Sequence, residues 1–564
     1  MTLKRRDLIK IAAAGGAAMA IPFERSAFTK SSASRIPASK LPKPFTLPFA
    51  YPPEWRPGSQ KSEIICQNGQ NYDYPSFTVE QNFGVAEILP GYKTPVFGYN
   101  GVVPGPTIRV QQGQPIIVNQ KNLLHQPPAA PYQNAAMPSK YTNDPRQRST
   151  STHLHGSASM PHYDGYASDI TMPGQWKPYF YPNSQEARTL WYHDHGVHHT
   201  SQNAYNGLAA MYILHDRHEQ SLGIPSGNRY DVPLIVRDAT FATDGSLVYD
   251  DNSESGVYGD VMLVNGVPWP TMTVERRKYR FRILNAAVSR SFEWSLTDGK
   301  SALPLTVIGT DAGLMPKPQV VSKLRHGMAE RYEIVIDFAK YPDNTRLTMK
   351  NTNPKNNIGY DTMANVMQFR VMGDATDTSR NSLPSTLATA ECMTFKEADL
   401  KKQGVKEREF KFIRKNGKWT INGETWEDVI SSGYKHVQAD PGEGDIEIWQ
   451  LTNTSGGWFH PVHIHLVDFQ VLSRNGTTSQ VRAFEKGPKD VVYVGENETV
   501  RVAMRFSGPR ADDHWNTPKG RYMMHCHNLV HEDHDMMMQF NVGDLDNDPI
   551  YDPIEAGAAL PIRD

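Results

Sequence analysis

His525-Cys526-His527-Asn528-Leu529-Val530-His531-Glu532-Asp533-His534-Asp535-Met536 is the stretch that organises the reading of this chain. Two histidines flank a lone cysteine, His531 follows five residues after the cysteine, and Met536 follows ten after it. A soft thiolate, imidazoles and a weak axial thioether form the ligand set of a blue-copper centre. In an extended strand, residues i and i+2 face one side and i+1 faces the other. His525 and His527 should therefore look toward one metal site and Cys526 toward a second. The backbone between them then joins the two sites covalently.

Three further histidine pairs with one residue between them occur: His153-Leu154-His155, His193-Asp194-His195 and His463-Ile464-His465. In His460-Pro461-Val462-His463-Ile464-His465, His463 and His465 share a parity that His460 does not. Pro461 cannot donate to a ladder and is expected at a strand entrance. A single such pair is an ordinary surface or core feature. Here 8 of the 20 histidines lie in such pairs, and His460 and His531 bring the set to ten. Zinc is the rival metal for His and Cys. Structural zinc uses closed four-ligand sites, usually with several cysteines, and catalytic zinc needs three protein ligands. Neither accounts for ten histidines with one cysteine and one methionine, so copper is the expected metal.

The His-Leu-His-Gly, His-Asp-His, His-Pro-Val-His-Ile-His and His525–Met536 segments resemble the four copper motifs of the multicopper oxidases. Branch-level features resemble the bilirubin oxidase and spore-coat laccase group: His531–Met536, Trp458-Phe459-His460-Pro461, His465–Leu472, and Asp164-Gly165 at its distance beyond His153. The resemblance spans about residues 45 to 545. It implies four coppers per chain. His460, Cys526 and His531, with Met536 axial, would hold a type 1 copper. His153 and His463 would hold a type 2 copper. His155, His193 and His527 would hold one type 3 copper, and His195, His465 and His525 the other. It also marks Asp164 and Glu532 as carboxylates serving proton delivery; the alternatives are a turn residue before Gly165 and a hydrogen-bond partner of a ligand. His162, His198, His199 and His534 have no role in the scheme and are expected to be solvated or to support ligands.

The chain has 564 residues, with 42 Gly, 41 Pro and 10% aromatics, which suits a loop-rich β protein of several domains. Mean hydropathy of -0.55 fits a soluble globular chain. A net charge of -1 shows no electrostatic footprint for nucleic acid or an anionic membrane. The basic spot Glu275-Arg276-Arg277-Lys278 is expected to be a solvated turn between strands.

Lys4-Arg5-Arg6-Asp7-Leu8-Ile9-Lys10 precedes a short Ala- and Gly-rich apolar run ending at Ala18-Met19-Ala20. A twin arginine before such a run reads as a bacterial Tat signal over residues 1–20, cleaved by about residue 35. The run is too short for a membrane span. The expected destination is periplasmic or secreted, by way of the Tat machinery, without a membrane anchor and as a monomer. Only Cys66, Cys392 and Cys526 occur. An oxidising destination permits a Cys66–Cys392 disulfide; two buried free thiols are the alternative.

A weak internal repeat sets the domains. Asn100-Gly101, Asn265-Gly266 and Asn422-Gly423 recur at spacings of about 160 residues, each leading into strand-like alternation. Three related all-β sandwiches follow, and the resemblance implies three consecutive cupredoxin-like Greek-key domains: 45–225, 226–375 without copper ligands, and 400–545, with a tail at 546–564. Ligand motifs occur only in the first and third copies, so a copper cluster is expected between those two, with the second as a spacer.

The implied activity couples one-electron oxidation of phenols, aromatic amines or tetrapyrroles such as bilirubin to four-electron reduction of dioxygen to water. Its partners would be dioxygen and a small reducing substrate, and Met536 implies a lower type 1 potential than a non-coordinating residue would. A cuprous or other metal-ion oxidase is a second reading. A copper-free structural or cell-division protein on the same fold is a third, and the complete ligand set argues against it.

Overall fold

The alternation becomes six β-sheets in three successive pairs in the computed structural model, which describes residues 34–55, 61–65, 71–124, 148–353, 361–507, 519–545 and 548–554. The Tat-like segment and Cys66 lie outside these residues. Strands account for 44% of the chain and helices for 12%, so the chain is all-β. The first pair draws its strands from Glu54 to His215, the second from Asp231 to Asp374 and the third from Lys406 to Val542. These are three consecutive cupredoxin-like sandwiches.

Each pair encloses its own apolar core. Phe77 and Val79 from one sheet meet Ile108 and Leu190 from the other in the first sandwich. Phe281 and Ile334 meet Trp294 and Phe369 in the second. Trp449 and Val502 meet Val462 and Tyr522 in the third. Burial of such side chains, about 1.5–3 kcal/mol each, drives the sheets together face to face. All three Asn-Gly turns have both residues at positive φ: Asn100 58°, Gly101 71°; Asn265 50°, Gly266 81°; Asn422 57°, Gly423 85°. That is the primed-turn geometry that Asn-Gly favours.

Two strand pairs carry the histidine motifs. Strand Thr152–His155 runs antiparallel to Arg188–Asp194, with His153 opposite His193. Strand His460–Ile464 runs antiparallel to Gly520–Cys526, with His463 opposite His525 and Val462 opposite Cys526. The pleat thus puts His463 and His525 on one face and Cys526, with Val462, on the core face. His195, His465 and His527 each sit one residue past a strand end. Their amides extend the ladders, to Ser151, Met523 and Pro461 carbonyls at 2.6, 3.1 and 2.6 Å.

Two sequence expectations need correction. Glu275–Lys278 joins the strands Thr271–Arg276 and Lys278–Asn285; Arg276 and Lys278 keep partial exposure, but the residue between them does not. Arg277 is fully buried, lies 3.6 Å from the Tyr230 ring centroid, and donates to the carbonyls of Asp377, Ser379 and Arg380. Those carbonyls belong to the linker after the second sandwich, which the arginine pins down. The second sandwich is also more than a spacer, since Ser255 and Arg331 from it reach the metal-ligand candidates described below. Met537 and Met538 lie in a buried strand. Cys392 is a buried free thiol. Among the described residues, no helix is long and apolar enough to cross a membrane.

Candidate metal centre

The four strand ends bring eight imidazoles into one buried cluster between the first and third sandwiches. Each of the eight is at most 1% exposed. His153 Nε2 faces His463 Nε2 at 3.4 Å. His525 Nε2 lies 3.2 Å from both His195 Nε2 and His465 Nε2. The remaining three, His155, His193 and His527, have ring centroids 5.1–5.9 Å apart. Trp191 stacks on His193 at 4.0 Å and closes that side.

Most of the far nitrogens are tethered, which fixes which nitrogen looks inward. His153 Nδ1 meets the Asp164 carbonyl at 2.5 Å and His193 Nδ1 the Asp194 carbonyl at 2.7 Å. His463 Nδ1 meets the Asp490 carbonyl at 2.8 Å, and His465 Nδ1 meets Asp164 Oδ2 at 2.7 Å. Glu532 Oε2 lies 2.8 Å from His525 Nδ1, and Oε1 lies 3.6 Å from His195 Nε2. The two carboxylates singled out in the sequence therefore both reach cluster histidines. Gly165 allows the Asp164 turn to lie against the His153 backbone. Its φ is 76°, and a Cβ there would come within 2.5 Å of the Thr152 carbonyl oxygen and 2.7 Å of His153 Cα.

On the opposite face of Cys526 lies a second, smaller pocket. His460 Nδ1 is 3.3 Å and His531 Nδ1 3.7 Å from Cys526 Sγ, and the two nitrogens are 3.3 Å apart. His460 Nε2 donates to Ser455 Oγ at 2.7 Å, and His531 Nε2 donates to the Ser255 carbonyl at 3.1 Å. Trp419 stacks on His531 at 3.8 Å. Met536 is buried in the same core as Cys526, and its carbonyl accepts from the Cys526 amide at 3.1 Å. The helix Leu529–Asp533, capped by the Asn528 side chain, carries His531 and Glu532 to the two pockets.

The electrostatics suit a metal. Burial before all else lowers the basicity of His153, His155, His463, His465 and His527, and brings His193 to about 3 and His195 to about 4. They are neutral imidazoles, the form that ligates. Burial likewise pushes the Cys526 thiol up, so a soft cation is needed to displace its proton. Burial raises Asp164 well above the carboxylate range. Burial also raises Glu532, but His525 and His195 beside it outweigh that and hold it at about 2. Buried polar atoms without a partner cost about 1–3 kcal/mol each. His155 Nδ1, His193 Nε2, His195 Nδ1 and both His527 ring nitrogens have no hydrogen-bond partner among the described residues. Metal ions facing His155 Nδ1, His193 Nε2 and one nitrogen of His527 account for those atoms, and a thiolate pocket beside them selects copper.

Sequence reasoning did not find Asp490, Arg331, Ser255, Ser455 or Trp419. Asp490 precedes the strand Val491–Val494 that pairs with His460–Ile464, and Ser255 and Arg331 come from another domain. Neither relation leaves a local motif. Of the unassigned histidines, His162 Nε2 donates to the Asp552 carbonyl at 2.8 Å. His198 Nδ1 meets the Asp533 carbonyl at 3.1 Å, and His534 lies 3.7 Å from Asp251.

Family models described as multicopper oxidase match residues 80–144 and 132–219, 191–368 and 401–546. The chain is 40% identical over 509 residues to a bilirubin oxidase of Albifimbria verrucaria, covering 88% of this chain and 81% of that protein. It is 32% identical to a laccase of Bacillus subtilis, covering 80% of this chain and 91% of that one. The McoA multicopper oxidase of Aquifex aeolicus superposes with a TM-score of 0.73 at 28% identity, over 88% of this chain and 99% of that one. With a thiolate pocket, an adjoining eight-histidine cluster and matches along three sandwiches, the chain belongs to the multicopper oxidase family.

Proposed function

We propose that this oxidase takes single electrons from small phenols, aromatic amines or tetrapyrroles of the bilirubin type, and delivers four of them to each dioxygen. The enzyme class is that of the family, a copper-dependent oxidoreductase with dioxygen as acceptor. One observation carries the reading: Cys526 belongs to one pocket while its chain neighbours His525 and His527 belong to the other. When bound, copper supplies one-electron redox chemistry at the thiolate pocket and dioxygen reduction at the cluster. The substrate class rests on similarity to the bilirubin oxidase and laccases above.

In this reading His460, Cys526, His531 and Met536 hold type 1 copper, and His153 and His463 hold type 2. His155, His193 and His527 hold one type 3 copper; His195, His465 and His525 hold the other. The chain's own work is to orient these groups and to move protons. Dioxygen needs four protons with its four electrons to give two waters. Asp164 spends Oδ2 on His465, and its Oδ1 has no hydrogen-bond partner among the described residues. That oxygen can hold a proton for the cluster. Glu532, ionised beside His525 and His195, is placed to accept and pass on a proton at Oε1, the oxygen turned toward His195. Dioxygen uptake with bilirubin, phenols, aromatic amines and cuprous ion tests the substrate class. The expected result is turnover on organic reductants with four one-electron equivalents used per dioxygen. Turnover confined to cuprous ion would overturn it.

Export through Arg5 and Arg6 is part of the same reading, with a folded, metal-loaded enzyme working as a monomer outside the cytoplasm. Changing both to Lys should leave the protein in the cytoplasmic fraction; unchanged export would refute that route.

A further inference from the structure

His155 is tethered in the reverse sense to five of its cluster neighbours. His153, His193, His463, His465 and His525 are each met at Nδ1 and turn Nε2 inward. His155 is met at Nε2, which lies 3.1 Å from Asp490 Oδ1, and its buried Nδ1 has no partner among the described residues. Asp490 is 1% exposed, and its carbonyl also accepts from His463 Nδ1. One residue thus holds two cluster histidines, one from each sandwich.

Asp490 is in turn fixed from the middle sandwich. Arg331, at the start of strand Arg331–Asp337 and fully buried, grips it bidentately, with Nη1 2.7 Å from Oδ1 and Nη2 on Oδ2. The remaining three donors of Arg331 are also used: Nε to the Thr189 carbonyl at 2.9 Å, Nη1 to the Ala329 carbonyl at 3.1 Å and Nη2 to the Asp311 carbonyl at 3.0 Å. Asp311 Oδ1 accepts from the Arg331 amide at 2.7 Å, and Oδ2 from the Val491 amide at 3.2 Å. Lys489 Nζ lies 2.8 Å from Asp311. A planar fork with every donor satisfied cannot turn without breaking several buried bonds. The residue after His155 is shaped to admit this pair. Gly156 has φ 88°, and a Cβ there would lie 2.6 Å from Arg331 Nη2 and 2.8 Å from Asp490 Oδ2.

We propose that Arg331 and Asp490 are a positioning pair that holds His155 in the tautomer and ring orientation presenting Nδ1 to the copper cluster. The middle sandwich thereby takes part in assembling a centre whose ligands all come from its neighbours. An imidazole is nearly symmetric in shape, so packing alone barely distinguishes Nδ1-in from Nε2-in. A charged acceptor locked in place does, because turning the ring would strip Asp490 of its donor and bury Nε2–H against the other imidazoles.

The inference rests on His155 being a copper ligand, and the experiment separates the two. Full-length variants are reconstituted with copper, copper per chain is measured under increasing chelator, and the blue thiolate absorption is recorded alongside. Asp490→Ala should weaken one of the four coppers by roughly 10- to 100-fold and leave the blue band unchanged. Asp490→Asn, whose amide oxygen still accepts from His155, should recover much of that loss. Removing one member of a buried ion pair can unfold a protein. The double replacement Arg331→Met with Asp490→Leu avoids a lone charge and should show the same weakened copper in a folded chain. His155→Phe should lose that copper outright. Four coppers held at native strength in His155→Phe would overturn the ligand assignment. Loss in His155→Phe, with native retention in Asp490→Ala or the double variant, would overturn the positioning role alone.

Discussion

Glu532 and Asp164 stand where an acid–base group and a ligand anchor are hard to tell apart by position alone. Each has one oxygen on the far nitrogen of a cluster histidine. Replacement of the carboxylate by its amide separates the two roles. Glu532→Gln and Asp164→Asn keep the side-chain size and an oxygen that can accept. They remove the transferable proton. Turnover should fall by roughly 10²-fold or more, while full copper content and rapid bleaching of the blue band by substrate persist. Loss of copper in parallel with loss of turnover would make both residues anchors only. These two carboxylates were legible in the sequence because Glu532 adjoins His531, Asp164 follows the His153–His155 pair before Gly165, and both match carboxylates of the resembled family. Asp490 was not: it is separated from His155 by 335 positions and meets it across two sandwiches.

Strands and the turns that end them decide where the ligands go. A two-residue period was enough to foresee that Cys526 and its flanking histidines look in opposite directions, because the pleat permits nothing else. The same period could not show that His153 pairs with His193, or His463 with His525, since register is set by contacts between strands distant in the chain. The turn at Asp164-Gly165 is a second element-level device. Gly165→Ala must accept φ 76° and a Cβ against the His153 backbone. It should destabilise the protein by about 1–3 kcal/mol from the conformation alone, and lower copper retention by displacing His153. Differential scanning calorimetry with metal analysis checks this; an unchanged melting temperature and full copper would show that the turn adjusts freely. The Glu275–Lys278 turn went the other way. Its charges suggested solvent, but Arg277 finds linker carbonyls that no local pattern advertises.

For the whole molecule, the three-sandwich plan was readable from the Asn-Gly repeat and the spread of motifs, while the contribution of the middle sandwich was not. Its contacts with the metal region run through Ser255 and Arg331, residues that resemble any other serine or arginine in sequence. Gathering eight imidazoles into one buried space also has a global consequence for the copper-free chain. The histidines have ordinary basicity when unfolded, about 6.5, but His193 and His195 are depressed to about 3 and about 4 when folded. Between those limits the unfolded chain binds more protons than the folded one, so stability falls as pH falls. Above about 6.5 neither state is protonated at these sites and the effect vanishes. Copper-free protein should therefore lose melting temperature progressively from about pH 6.5 toward about pH 4, and copper-loaded protein, whose ligated imidazoles take up no proton while folded, should lose at least as much stability over the same span. A flat melting temperature for the copper-free chain across that window would mean that the cluster is open to water rather than closed.

The most direct test of the two-pocket account is copper stoichiometry, measured together with the blue thiolate absorption in full-length protein and in Cys526→Ser. The account predicts four coppers per chain and a blue band in the native protein. In Cys526→Ser, where a hydroxyl cannot replace the soft thiolate, the band should vanish and the cluster copper remain. A native protein that binds a single copper, or zinc in its place, would contradict the account, and so would a blue band that survives in Cys526→Ser.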